Sequence, residues 1–213
     1  CINKKTKIMK ADELTFDEKQ SLKVIKTAIA SKKRAFRDDG LLLVLWGAAL
    51  SISNFWNYYK NVNLTAWGMR NLMDLLQIIM GVLVLGFTAY LFFFKKKKVT
   101  TYEAASTRFV WIGVILAHNI NVIITRSLLT EINFTLLQPL QMVLIGFALF
   151  VTGGIYRYYL LVASGVIMWT AAAIGAHYGI ESQFLIRSIA EVICFVIPGA
   201  IMFAKQRKFE TNV

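Results

Sequence analysis

"LMDLLQIIMGVLVLGFTAYLFFF" runs from Leu72 to Phe94 and carries one formal charge, Asp74, in 23 residues. At about 1.5 Å of rise per residue, a helix of that length crosses the ~30 Å hydrocarbon core of a bilayer. Backbone N–H and C=O groups find no water there, so the segment has to satisfy them internally, as a helix does. The inward–outward alternation of a lipid-facing barrel strand is missing from it.

The same reading extends outward along the chain. Of 213 residues, 57% are hydrophobic and two are proline. Soluble domains average about 45–50% apolar residues and interleave them with polar ones; here they come in blocks. Six spans are expected: Leu41–Tyr59, Leu72–Phe94, Phe109–Thr125, Leu136–Tyr156, Tyr158–His177 and Phe184–Ala204. The expected fold is all-α, a polytopic membrane protein of six transmembrane helices. Its parts are a basic tail with an amphipathic helix over 1–40, a transmembrane domain over 41–204 and a short basic tail over 205–213.

Charge orients the bundle. Of 24 Lys and Arg residues, 11 precede the first span, five are Lys95–Lys98 and Arg108, one is Arg157, and three are Lys205, Arg207 and Lys208. If the spans alternate, all of these fall on one side, and only Lys60, Arg70, Arg126 and Arg187 on the other. Positive loops stay inside, which places both termini in the cytoplasm of a bacterial inner membrane. The net charge of +12 therefore reports topology and attraction to anionic headgroups. Nucleic acid is not an expected partner, because no aromatic–basic reading motif accompanies the charge. Cys1 and Cys194 lie too far apart in this layout for a disulfide. A chain that opens on Cys1 reads as lacking upstream residues or as starting from Met9, and no cleavable signal peptide precedes the first span.

"TFDEKQSLKVIKTAIASKKRAFRDDG", Thr15 to Gly40, begins with Thr15 and Glu18 at capping-box spacing. Leu22, Ile25, Ile29 and Phe36 fall near one face and Lys and Arg opposite, the pattern of a basic helix lying in the headgroup interface or docking a partner. Residues 17–47, with Glu18, Leu22 and Ile25 followed by Leu43, Trp46 and Gly47, resemble the start of a group of small bacterial membrane proteins. That group similarly opens its first span with Leu-x-x-Trp-Gly after a Glu-x-x-x-Leu-x-x-Ile helix. The resemblance covers about the first quarter of the chain and implies an inner-membrane location, with no activity attached.

Two spans carry matching stripes. Arg70, Asp74, Gln77 and Gly81 follow i, i+4, i+7, i+11, and so do Arg187, Glu191, Cys194 and Pro198. Gln138, Gln141 and Ile145 offer a neutral partial version, and similar openings at 43–47, 109–113 and 161–165 suggest three repeated hairpins. Polar residues concentrate in the outer halves: Ser51, Ser53, Asn54, Asn57, Arg70, Asp74, Gln77, His118, Asn119, Asn121, Thr125, Arg126, Gln138, Gln141, His177, Arg187 and Glu191. Each intramembrane charge costs roughly 2.5–3.5 kcal/mol on insertion scales, so such groups are expected to face inward.

The expected result is an outward-facing polar pocket for a small charged solute, anionic or zwitterionic, with guanidinium groups as the clamp. Its candidate lining is Arg70, Asp74, Gln77, His118, Asn121, Arg126, Arg187 and Glu191, with Arg70–Asp74 and Arg187–Glu191 as counterpart pairs and either acid open to proton coupling. The competing class is a non-catalytic scaffold acting on a protein partner through the cytoplasmic helix. His118, Asp74 and Glu191 make a poor metal set, since His118 and His177 differ in depth, so neither metal nor cofactor is expected. No His-Glu-x-x-His, Gly-x-Ser-x-Gly or Walker-type loop occurs. The chain reads as a non-enzyme, with intramembrane acid–base chemistry at Glu191 and His118 as a third class. Gly175-x-x-x-Gly179, Gly47-x-x-x-Ser51 and Gly113-x-x-x-Ala117 are expected to pack helices closely, and Pro198 to kink the last span. Six helices in 213 residues are few for a transporter, which favours a homodimer.

Overall fold

The computed structural model describes Gln20, Ser21, Lys23, Ile25 and residues 40–63, 67–93, 102–128 and 134–211. The predicted cytoplasmic helix lies, apart from those four isolated positions, outside the described residues.

Gly40–Asn63 forms α1. It is followed by α2 (Trp67–Phe93), α3 (Tyr102–Leu128), α4 (Phe134–Tyr156), α5 (Tyr159–Gly175) and α6 (Ile180–Glu191), which continues through a π-helical turn (Val192–Val196) into α7 (Ile197–Thr211). No strand occurs among the described residues. Five stretches are long and apolar enough to cross a membrane: Gly40–Asn63, Met69–Tyr90, Tyr102–Thr125, Thr135–Tyr156 and Ile180–Ala204. The helices overrun the expected spans at most ends because hydrogen bonding continues into the polar flanks, where hydropathy no longer marks them.

The fifth differs. Tyr159–Gly175 has 17 residues, shorter than the expected Tyr158–His177, because turns cut both ends. At its start, Arg157 N–H donates to the Gly154 carbonyl (3.2 Å) and Tyr158 N–H to the Gly153 carbonyl (2.8 Å). This closes α4 as a Schellman motif with Arg157 at φ 52 in the position glycine usually takes. The left-handed conformation costs a non-glycine residue about 1–2 kcal/mol. At its end, Gly175 closes α5 and Gly179 precedes α6, so the expected GxxxG contact is instead a turn.

The first two helices pack antiparallel. Lys60 Nζ meets Asp74 Oδ1 at 2.6 Å, Gln77 donates to the Ser53 carbonyl at 2.9 Å, and the Trp46 indole to Thr88 Oγ1 at 3.1 Å, which together lay α2 along α1. One end of the bundle therefore holds the start of α1, the end of α2, the α4–α5 turn and α7, and it is the end to which the sequence assigns most of the Lys and Arg residues. We call it the basic end.

The core lies among α4, α5 and the last helix: Met142, Leu149, Leu161, Met168, Cys194, Phe195 and Met202 are fully buried or nearly so. Close approach sets it. A Cβ on Gly165 would fall 2.7 Å from the Gly146 carbonyl, and one on Gly47 would fall 2.4 Å from Phe195 Cβ. Gly47-x-x-x-Ser51 does pack, while Gly113 has nothing within 4 Å. On α2, Leu72, Ile78, Val82 and Leu83 are all exposed. Apolar surface of that extent around a helix belongs against lipid.

The last helix departs from α-helical geometry one turn before Pro198. Ile197 N–H donates to the Val192 carbonyl, an i to i+5 bond, so the last helix accommodates the ring's missing donor by widening into a π turn.

Candidate functional site

Gln183, Arg187 and Glu191 repeat every four residues along α6, and all three are buried. Arg187 Nε donates to Glu191 Oε1 at 2.9 Å. Its Nη1 donates to the side-chain oxygens of Gln141, at 2.6 Å, and of Gln138, both on α4. The other carboxylate oxygen, Glu191 Oε2, accepts from Asn54 Nδ2 of α1 at 2.8 Å, and the same amide donates to the Leu50 carbonyl at 3.0 Å. One charge pair thus ties three helices.

Beside this network, α1 and α6 hold a reciprocal clasp. Ser51 Oγ donates to the Ser188 carbonyl and Ser188 Oγ to the Ser51 carbonyl, each at 2.9 Å. The clasp lies between two helices whose backbones approach because the residues are small. Neither serine was singled out for the site from the sequence, although Ser51 sits three residues before Asn54 and Ser188 beside Arg187. Gln183 was also missed, though it extends the same stripe by one turn. Its amide donates to the Tyr178 carbonyl at 3.0 Å, and its own oxygen is buried with no hydrogen-bond partner among the described residues.

The eight expected lining residues separate into groups. Arg187 and Glu191 are partners, as their spacing suggested. His118 is half-buried on α3. Asn121 follows it on the same face, half-buried, with its carbonyl accepting from Thr125 Oγ1 at 2.8 Å. The side chain of Arg126 lies outside the described residues.

The α2 trio goes elsewhere. Asp74 pairs with Lys60 and not with Arg70, Gln77 grips α1, and Arg70 is half-buried near the helix start. On α2, Asp74 and Gln77 thus face α1, while Gly81 has nothing within 4 Å of a Cβ. The side chain of Asp74 is 50% exposed where Glu191 is fully enclosed, so the two positions are not equivalent in their surroundings.

The charged network is enclosed by protein. Glu191 is 0% exposed, Gln183 1% and Arg187 6%. A cavity of about 360 Å3 lies at the α4–α5 turn, and one of about 420 Å3 lies against Pro139 and Trp169 on the face between α4 and α5. Neither is lined by a residue of the charged network.

Energetics separate glue from function. Two buried charges cost roughly 5–7 kcal/mol on insertion scales. The three interhelical bonds of the network, at about 0.6 kcal/mol each, return about 2 kcal/mol. An apolar seam would hold these helices at lower cost.

Fold and network together define a class: an all-helical chain with five helices suited to a membrane and a charged, solvent-shielded network inside the last of them. Set against known protein families, characterised proteins and solved structures, the chain matches none.

Proposed function

We propose that this chain is a six-span inner-membrane protein, with both termini cytoplasmic and α5 as its short span, that binds a small anionic or zwitterionic solute at Arg187 for transport or sensing. The observation that carries the reading is the Arg187–Glu191 pair, enclosed at depth at a cost its interhelical bonds do not offset. A carboxylate or phosphate competes with Glu191 for the guanidinium, whose planar fork suits either group. The unpaired Gln183 oxygen accepts from the N–H of a zwitterion, and His118 and Asn121 on α3 complete the lining. The closed network is then the empty resting state, and solute entry from the outer side separates α3 from the last helix.

The test is a thermal-shift screen of the full chain in nanodiscs against small carboxylates, amino acids and inorganic phosphate. At least one compound raises the melting temperature of the wild type and fails to do so for Arg187→Gln and Arg187→Lys. If no compound shifts it, or Arg187→Gln responds like the wild type, the reading is wrong.

Closure of the network favours a second reading, a membrane scaffold whose outer charges only lock the bundle and whose cytoplasmic helix engages a protein partner. In that case deleting residues 10–36 abolishes the cellular phenotype, and Arg187→Gln with Glu191→Gln leaves it unchanged.

A further inference from the structure

The α4–α5 turn holds a feature outside the charged network. Gly153, Gly154, Arg157, Tyr159 and Val162 line a cavity of about 360 Å3 at the basic end. Arg157 keeps a left-handed backbone, φ 52, where glycine would be unstrained, so the chain places a guanidinium at this corner against its own backbone preference. Arg157 is exposed, and no carboxylate of the described residues pairs with it.

The floor is open as well. A Cβ on Gly154 would meet nothing within 4 Å, whereas one on the neighbouring Gly153 would fall 2.5 Å from the Val162 backbone nitrogen. Gly153 is therefore small for packing, and Gly154 leaves room. Tyr159, 85% exposed at the first position of α5, stands where aromatic side chains meet headgroups, and Val162 supplies an apolar wall below it.

We infer that this corner is a binding site for the phosphate of an anionic phospholipid headgroup. Arg157 supplies the cation, the Tyr159 hydroxyl a hydrogen bond, and Gly154 the space. The assignment to lipid rather than to a free oxyanion rests on level: the cavity sits where two apolar helices end, on the side to which alternating spans in the sequence assign 20 of the 24 basic residues. The leaflet at such an end is the one rich in anionic lipid. The site does not depend on any role for Arg187.

The experiment compares the full chain in nanodiscs of phosphatidylcholine alone and of phosphatidylcholine with phosphatidylglycerol, reading the melting temperature and, by native mass spectrometry, the lipids retained. The wild type melts several degrees higher with phosphatidylglycerol and keeps a tightly held phosphatidylglycerol. Arg157→Gly relieves the left-handed backbone, so it folds at least as well in phosphatidylcholine, yet loses most of the rise and the retained lipid. Gly154→Leu, whose Cβ meets nothing within 4 Å, occupies the space and does the same, while Arg157→Lys keeps part of the rise. If Arg157→Gly shows the whole rise, diffuse attraction by the other basic residues explains it and the site does not exist. If inorganic phosphate in phosphatidylcholine discs reproduces the rise, the ligand is a free oxyanion and the headgroup assignment is overturned.

Discussion

Glu191 divides its two oxygens between a charge on its own helix and an amide on another. Removing one partner of such an enclosed pair is far worse than removing both, because the survivor keeps its desolvation cost. Arg187→Met alone is expected to lower stability by about 3–5 kcal/mol, and Arg187→Met with Glu191→Met by less than that single change. Denaturant titration in detergent over the full mutant cycle checks this, and simple additivity would contradict it. The Arg187–Glu191 contact was legible in advance because both residues lie on one helix, a turn apart. Arg70 and Asp74 have the same spacing and are not partners. Lys60 reaches Asp74 from α1, and no local spacing announces which neighbouring helix brings a competing cation.

Among the elements, glycines divide by what surrounds them. Gly47→Ala and Gly165→Ala force atoms into contacts of 2.4 and 2.7 Å and are expected to destabilise by about 1–3 kcal/mol. Gly81→Ala, Gly86→Ala and Gly113→Ala meet nothing within 4 Å and are expected to be neutral or stabilising by up to about 1 kcal/mol, from helix propensity alone. Thermal melts of the two sets in one detergent decide it, and a common sign would refute the packing account. The π turn yields a sharper expectation. It holds one residue more than an α-helical path requires, so deleting the exposed Ile193 leaves both flanks in register and the bundle assembled. Deleting Ile189 instead rotates Gln183, Arg187 and Ser188 by about 100° relative to Glu191 and breaks the network. Size-exclusion profiles of the two deletions separate these outcomes. Hydropathy showed where the helices are, and Pro198 announced an irregularity. The form it takes depends on the packing of Phe195 against Trp111, with ring centroids 5.9 Å apart, and against Gly47.

At the scale of the molecule, α1, α4, α5 and the last helix make the packed body, while α2 rides on α1 with its outer surface given to lipid. In a background lacking Cys1 and Cys194, a membrane-impermeant maleimide is expected to label Lys60→Cys on intact bacterial cells, and Arg157→Cys only after permeabilisation. The reverse pattern would invert the topology and remove the basis for an outward-facing site. Part of the architecture was readable without coordinates: helices throughout the described residues, and five of them long and apolar enough to cross a membrane. These follow from solvation along single segments, since an apolar block in lipid has helix as its cheapest state and a charge within it has to turn inward whatever its neighbours are. Only the tertiary structure decided that Arg187 meets Gln138, Gln141 and Glu191, that Asp74 belongs to Lys60, and that the Arg187–Glu191 pair is enclosed. Those outcomes depend on helix rotation and on which helices abut, set by small residues such as Gly47, Ser51 and Gly165, whose effect exists only once another surface is pressed against them.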